Sequence, residues 1–262
     1  MSKRIFGLTG LCLLLFGALV PAMAEVRLIR EQAGLELWET GLGQLWIPQP
    51  GLAVIKHLEW EQAVQKVYDY SFAHASPGDI VIDCGAHIGG FTRVALQAKA
   101  RLVVAVEPEK SNIVAFRRNF ARELKSGKVI LVEKGIWDKT GILPLHLSKT
   151  GDSHSVAIPQ NSGRDQGIEV VTLDSIVKNL NLPRVDFVKM DIEGSEQNAL
   201  AGASHTLKQW HPRLAISSYH KQGDPQAICA LVWSLWPAYL TGSKDRTRGP
   251  RGSEVPKVLF FY

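Results

Sequence analysis

Val81-Ile82-Asp83-Cys84-Gly85-Ala86-His87-Ile88-Gly89-Gly90-Phe91-Thr92 is the stretch on which the reading of this chain turns. Ile80–Cys84 is a short apolar run of the kind a buried strand shows, and 90–99 reads as a helix. Between them lie glycines, which make a tight strand-to-helix turn and let backbone approach a ligand at the strand's carboxyl end. The spacing is Gly-x-x-x-Gly. It is neither the Gly-x-Gly-x-x-Gly of dinucleotide sites nor a Gly-Lys-Ser/Thr triphosphate loop.

Working outward, Leu102–Val106 forms a second strand that ends on Glu107, 22 residues beyond Gly85. An acid at that point has two oxygens for the two hydroxyls of a ribose, and a separation of roughly 20 residues is the expected one. Asp83, just ahead of the first glycine, repels phosphate and attracts a ligand carrying an ammonium and a sulfonium. The three features together favour S-adenosylmethionine over NAD or ATP. A third chemistry-bearing run closes the strand 185–190 with Asp191-Ile192-Glu193-Gly194-Ser195-Glu196. Open α/β sheets carry their ligands where those acids lie.

The remaining pattern fits one architecture. A helix over 111–124 capped by Ser111, a strand at Val129–Val132, a helix over 195–210, a strand at 214–217 and a helix over 225–236 alternate regularly. Such alternation builds βαβ units, and 238–240 with 258–262 read as a closing strand pair. The expected fold is α/β: a mostly parallel, Rossmann-like sheet with helices packed against it. Regularity lapses over 137–167, where 142–147 reads as one strand and 149–167 as a surface loop, before a strand resumes at 170–173. Ahead of the domain at 77–262, residues 25–76 form a leader of short strands or a hairpin and a helix over 59–72. No internal repeat is present.

Residues 1–24 stand apart. Lys3 and Arg4 precede the apolar run 5–20, followed by Pro21 and Ala22-Met23-Ala24. That is the layout of a secretory signal peptide cleaved after Ala24, with an uncleaved membrane anchor on a cytoplasmic domain as the alternative. The chain has 30 basic and 25 acidic residues, net +5, and setting aside Lys3 and Arg4 leaves +3. That balance points to no nucleic-acid partner. The cluster from Lys244 to Arg251 reads as a solvated loop. Beyond Cys12 only Cys84 and Cys229 remain, and no zinc-type spacing exists.

DCGAHIGGFT, AVEPEKSN, TLDSI and VDFVKMDIEGSEQNALAGA together resemble the FkbM family of methyltransferases over 78–220. The resemblance implies a class I methyltransferase fold with a mostly parallel seven-stranded sheet and helices on both faces, bound S-adenosylmethionine, and usually O-methylation of a hydroxyl on a sugar, glycan or secondary metabolite. Carried onto this chain, Asp83, Gly85, Ala86, His87 and Gly89 serve the methionine side, Glu107 the ribose, and Ile136 and Trp137 the adenine. His87 stands where the family often has Asn, and Ser217-Ser218-Tyr219-His220 lacks the Glu that many members carry before the His.

A hydroxyl acceptor must lose its proton, which requires a base within reach. Asp191 and His220, following adjacent strands, are the candidates, with Glu193 assisting; His154 in the 151–155 loop is placed to reach over the substrate. Two acids are too few to define a metal site, and no metal is expected. An export signal would send the domain away from a cytoplasmic cofactor. The leader is therefore an anchor, or the cofactor binds before export, or the exported domain has lost catalysis. The alternative function is a noncatalytic domain on the same scaffold; an NAD-dependent oxidoreductase is disfavoured by the glycine spacing.

Overall fold

The chain opens with three antiparallel strands, β1 (Arg27–Gln32), β2 (Leu35–Thr40) and β3 (Gly43–Pro48), followed by helix α1 (Leu52–Leu58) and a π-helical turn, Glu59–Val64. The computed structural model describes residues 25–148, 154–159, 165–252 and 254–262. The proposed signal at 1–24 and parts of the 149–167 loop lie outside the described residues. Among the described residues, no helix is long and apolar enough to cross a membrane.

The main unit begins with β4 (Ile80–Cys84), α2 (Gly90–Gln97), β5 (Leu102–Val106), α3 (Lys110–Asn119), α4 (Ala121–Ser126) and β6 (Val129–Val132). Three strands then form a small separate sheet: β7 (Gly135–Ile136), β8 (Gly141–His146) and β9 (Asp165–Val171), ordered β7-β9-β8. After α5 (Leu173–Asn179) come β10 (Phe187–Met190), α6 (Glu196–Ala201), α7 (Ser204–Trp210) and β11 (Arg213–Ser217). The chain closes with α8 (Asp224–Leu235), β12 (Thr241–Arg248) and β13 (Glu254–Phe261).

The seven-stranded sheet runs β12-β13-β11-β10-β4-β5-β6. Within it β11, β10, β4, β5 and β6 are parallel, and β13 is antiparallel to both neighbours. All five residues of β4 are buried, as a central strand covered on both faces requires. Alternation then sorts its side chains. Ile80, Ile82 and Cys84 join the core under α5–α8, while Val81 joins Phe91, Phe116 and Phe120 under α2 and α3. The expected fold class is therefore the observed one.

Several local expectations are corrected. The 59–72 helix instead starts at Leu52 and stops before Lys66, whose φ of 49° ends it. The Lys244 ammonium then caps the broken end by donating to the carbonyls of Gln65, Lys66 and Asp69. The basic cluster containing it is consequently an edge strand as far as Arg248 rather than a loop throughout. The 111–124 helix breaks at Phe120, whose fully buried ring packs against Phe116 at 4.6 Å. Its cap is Glu109, which accepts from the Asn112 amide at 2.7 Å and from the Ser111 hydroxyl. The 195–210 helix breaks at Gly202, where a Cβ would sit 2.3 Å from the Trp137 carbonyl oxygen. The strand expected at 170–173 belongs to the small sheet.

The leader packs directly on this unit. Asn119 accepts from the Trp46 amide at 2.6 Å and donates to the carbonyls of Trp46 and Ile88 at 2.9 Å. Leu45, Ile47, Ile55 and Leu58 share one apolar cluster with Ile88 and Ala115.

Candidate active site

The parallel strands end together, and a cleft of about 250 Å³ opens over their carboxyl ends. Register decides what faces it. Cys84 pairs with Val106 on one side and Met190 on the other, so the residues just beyond these three converge. Gly85, Ala86, His87, Glu107 and Asp191 all line the cleft, and Glu193 and Ile136 join them.

Glu107 is held rigidly. One carboxylate oxygen accepts from the His87 amide at 2.9 Å, the other from the Glu109 amide at 2.9 Å. Burial pushes its carboxyl up to about 7, against the opposing effect of those amides and of Asn112. His87 reaches this donor position with φ 53°, so its part is played by the backbone of a left-handed turn. The amides of Gly85 and Ala86 are both taken by the Val106 carbonyl at 3.0 Å.

Asp83 does not line the cleft. It is fully buried one layer below, accepting from the Thr92 hydroxyl at 2.7 Å and lying 3.3 Å from the Lys189 ammonium. The cause is register: Asp83 and Lys189 are direct partners on adjacent strands, so their side chains share the face under α2. The expectation of a direct Asp83 contact to a cationic ligand is corrected accordingly. Gly85 and Gly89 are demanded by protein contacts. A Cβ on Gly85 (φ 77°) would sit 1.9 Å from the Asp191 carbonyl oxygen, and one on Gly89 (φ 99°) 2.0 Å from the Phe120 ring. Gly89 is absent from the cleft lining, and so is Trp137, which packs against the small sheet's core.

The opposite wall is acidic. Asp191 accepts from the Tyr68 hydroxyl at 2.6 Å. Burial would raise its carboxyl, but Lys189, His220 and the Tyr68 hydroxyl outweigh that and hold it below the usual range. His220 lies behind this wall, its side chain 5% exposed. Its Nδ1 is 3.0 Å from Glu196, and its Nε2 is 3.6 Å from Asp191 and 3.4 Å from Glu193. Burial would favour the neutral ring, but the three carboxylates, Glu196 foremost, raise its pKa to about 10. A ring protonated on both nitrogens has no lone pair, so the expectation of His220 as a base in this cluster is corrected.

Some cleft residues escaped the sequence reading. His57, Glu61, Gln62 and Tyr68 of the leader line it, as do Asn112 and Lys189. Glu61 is fixed by the Lys257 ammonium at 2.5 Å and by His57 at 3.2 Å. Helical periodicity marked the leader's apolar face, but nothing local said which polar residues that face would carry into the cleft. His154 also lines the cleft, and its Nδ1 accepts from the Ser148 amide at 3.0 Å. Next to it, Ser155 ties this segment to the acidic turn, donating to the Glu193 carbonyl at 2.5 Å.

A parallel sheet whose second strand ends in a pinned acid, with a cleft at its carboxyl edge, defines a class I nucleoside-binding α/β protein. Comparison with known proteins narrows the class. Residues 83–236, more than half of the chain, match the family described as Methyltransferase FkbM domain. The chain belongs to that family of S-adenosylmethionine-dependent methyltransferases. It is 25% identical over 181 residues to the hexuronic acid methyltransferase AglP of Haloferax volcanii, covering 68% of this chain and 70% of that protein. It also resembles the crystal structure of the methyltransferase FkbM from Methylobacillus flagellatus KT, with a TM-score of 0.53 at 25% identity. That match covers 71% of this chain and 44% of the other, so the present chain spans less than half of that protein's length.

The residues present fit the family's cofactor at one point above all. Glu107 offers a pinned carboxylate into the cleft, and apolar Ile136 lines the same space.

Proposed function

We propose that this protein transfers a methyl group from S-adenosylmethionine to a hydroxyl of a sugar or glycan. The observation carrying this reading is that Glu107, on one side, and Asp191 with Glu193, on the other, open on one cleft. A relative that methylates a hexuronic acid supports the sugar class.

S-adenosylmethionine supplies an electrophilic methyl carbon on a sulfonium. Glu107 would take its ribose hydroxyls, Ile136 would cover its adenine, and the Gly85-Ala86-His87 turn would back its methionine portion. Glu107, Asp191, Glu193 and Glu61, set against Lys134 and Lys189, leave the cleft lining with an acidic excess suited to a cation. On the acceptor side, Asp191, with Glu193 beside it, would accept the hydroxyl's hydrogen bond, hold its oxygen for in-line displacement and take up its proton as the methyl group is transferred, positioning being most of the help such a displacement needs. His220 acts through these acids as a positioning residue. Tyr68 holds Asp191 in place, and the leader shapes the acceptor entrance through His57 and Gln62. Residues 1–24 direct the domain to the membrane, cleaved after Ala24 or kept as an anchor. N-terminal sequencing of the protein made in cells separates the two.

The test is equilibrium binding of S-adenosylmethionine to the full chain, followed by release of S-adenosylhomocysteine with uronic-acid and neutral-sugar acceptors. Micromolar binding abolished by Glu107→Ala, with turnover on a sugar, is the expected result. Binding without turnover on any hydroxylated acceptor replaces the reading with a noncatalytic one.

A further inference from the structure

The chain leaves β11 through Ser217-Ser218-Tyr219-His220, and only one of these four side chains lines the cleft. Ser217 and Ser218 are fully buried, and the Ser218 hydroxyl donates to the Pro256 carbonyl at 2.8 Å. His220 lies behind the wall among its carboxylates. Tyr219 is left facing the space that Asp191 and Glu193 also line. Among the described residues, no hydrogen bond engages its hydroxyl. We propose that Tyr219 is a specificity-determining residue that binds the acceptor, its hydroxyl donating to an oxygen next to the one that is methylated, in a wall that selects a neutral sugar over a uronate. This deepens the function proposed above and rests on its placement of the acceptor beside Asp191.

A phenol at this point serves as a neutral partner. Burial, followed by Asp191, Glu193 and Glu61, pushes its ionisation far above the usual phenol range. The hydroxyl therefore keeps its proton at neutral pH, and it donates one hydrogen bond while accepting others, as a sugar hydroxyl does in return. Its ring is backed by the His220 imidazole, centroids 4.2 Å apart, and that imidazole is itself held by Glu196 at 3.0 Å. Tyr68 is the contrasting case. Its hydroxyl is spent on Asp191 at 2.6 Å, so of the two tyrosines lining the cleft only Tyr219 has a donor to give. Asp191 holds the oxygen that is methylated. Tyr219 stands on the same wall, so the oxygen it reaches is a neighbour of that one.

The charges of the lining supply the rest of the selectivity. A uronate carboxylate is held by a cation or by several free donors. Lys134 is engaged by Glu169 at 2.6 Å and Lys189 by Asp83 at 3.3 Å. His57 faces Glu61 at 3.2 Å, and His154 accepts from the Ser148 amide through Nδ1, which leaves that nitrogen unprotonated. Opposite these, Asp191, Glu193 and Glu61 repel a further anion brought beside them. A neutral sugar meets no such repulsion. Its hydroxyls donate to the carboxylates and accept from Tyr219.

The test is steady-state release of S-adenosylhomocysteine from matched methyl hexosides and methyl hexuronosides of the gluco, galacto and manno series. S-adenosylmethionine affinity is measured on the same samples. The natural protein should favour the hexoside of a pair by about 10-fold or more in kcat/KM. Tyr219→Phe keeps the ring on His220 and should raise KM for that hexoside about 3- to 10-fold, with cofactor affinity unmoved. The deciding arm is the deoxy analogue that lacks the hydroxyl beside the methylated one. It should lose a similar factor with the natural protein and nothing further with Tyr219→Phe, a non-additivity that general damage to the fold does not produce. Additive losses, or a KM that Tyr219→Phe leaves unchanged, overturn the role of Tyr219. A hexuronoside preferred to its hexoside overturns the selectivity while leaving methyl transfer to a sugar standing. Cofactor binding without turnover on any of these sugars overturns the function proposed above, and this inference with it.

Discussion

Replacing Glu107 by Gln separates the cost of a buried charge from its use. Burial raises this carboxyl from 4.5 to about 7. The folded protein therefore keeps a proton that the unfolded chain has released between those two values. The stability owed to that proton is fully present below about pH 4.5 and lost as pH rises through about 7. Integrated at about 1.4 kcal/mol per pH unit, the loss is about 3 kcal/mol. Gln cannot titrate, but it offers one acceptor where Glu107 satisfies two backbone amides, those of His87 and Glu109. The orphaned amide costs about 1–3 kcal/mol at every pH. Glu107→Gln should thus be less stable than the natural protein by about that amount at pH 4.5, and should draw level with or overtake it by pH 8. Urea unfolding of both proteins at half-unit steps from pH 4.5 to 8.5 measures the difference directly. Cofactor affinity supplies a second readout: in the natural protein it should rise as pH increases toward 7, whereas in Glu107→Gln it should be low and flat. A stability difference that stays constant across the range would refute the reasoning, since Glu107 would then carry no burial penalty.

Lys189→Met should cost about 3–5 kcal/mol by leaving Asp83 buried and uncompensated, and adding Asp83→Asn should recover much of it; strictly additive losses in urea unfolding would contradict the pairing. Gly85→Ala sets a Cβ 1.9 Å from a backbone oxygen at φ 77°, so a loss of about 2–6 kcal/mol or failure to fold is expected, read from the denaturation midpoint. Tyr68→Phe removes the hydroxyl that donates to Asp191, a bond to a charged group worth about 1.5–3 kcal/mol. Turnover should fall while S-adenosylmethionine affinity holds; a drop in cofactor affinity at unchanged turnover would show that Tyr68 serves the other side of the cleft.

The short apolar runs, their spacing and the acids ending them were legible in the chain itself. A buried parallel strand needs a near-continuous apolar run, and a ligand-binding turn after it needs glycine, so β4, β5 and β6 could be read with their boundaries. Glu107 and Asp191 could be read for the same reason: an acid that ends such a strand has to face the sheet's edge. Local pattern did not carry the partner of each charge. Asp83 looked like a ligand contact until register set Lys189 beside it, and His220 looked like a base until three carboxylates from the turn after β10 and the start of α6 surrounded it. The helix breaks at Gly202 and Phe120 lie where residues distant in sequence pack closely, the Trp137 carbonyl on one and Gly89 on the other, and helical periodicity does not encode such contacts. Tyr68 and Glu61 enter the cleft only because the leader folds back over strands distant from it in sequence. Spacing along a chain determines which residues end an element. Which charges meet across elements depends on register and packing, and those exist only once the sheet has closed.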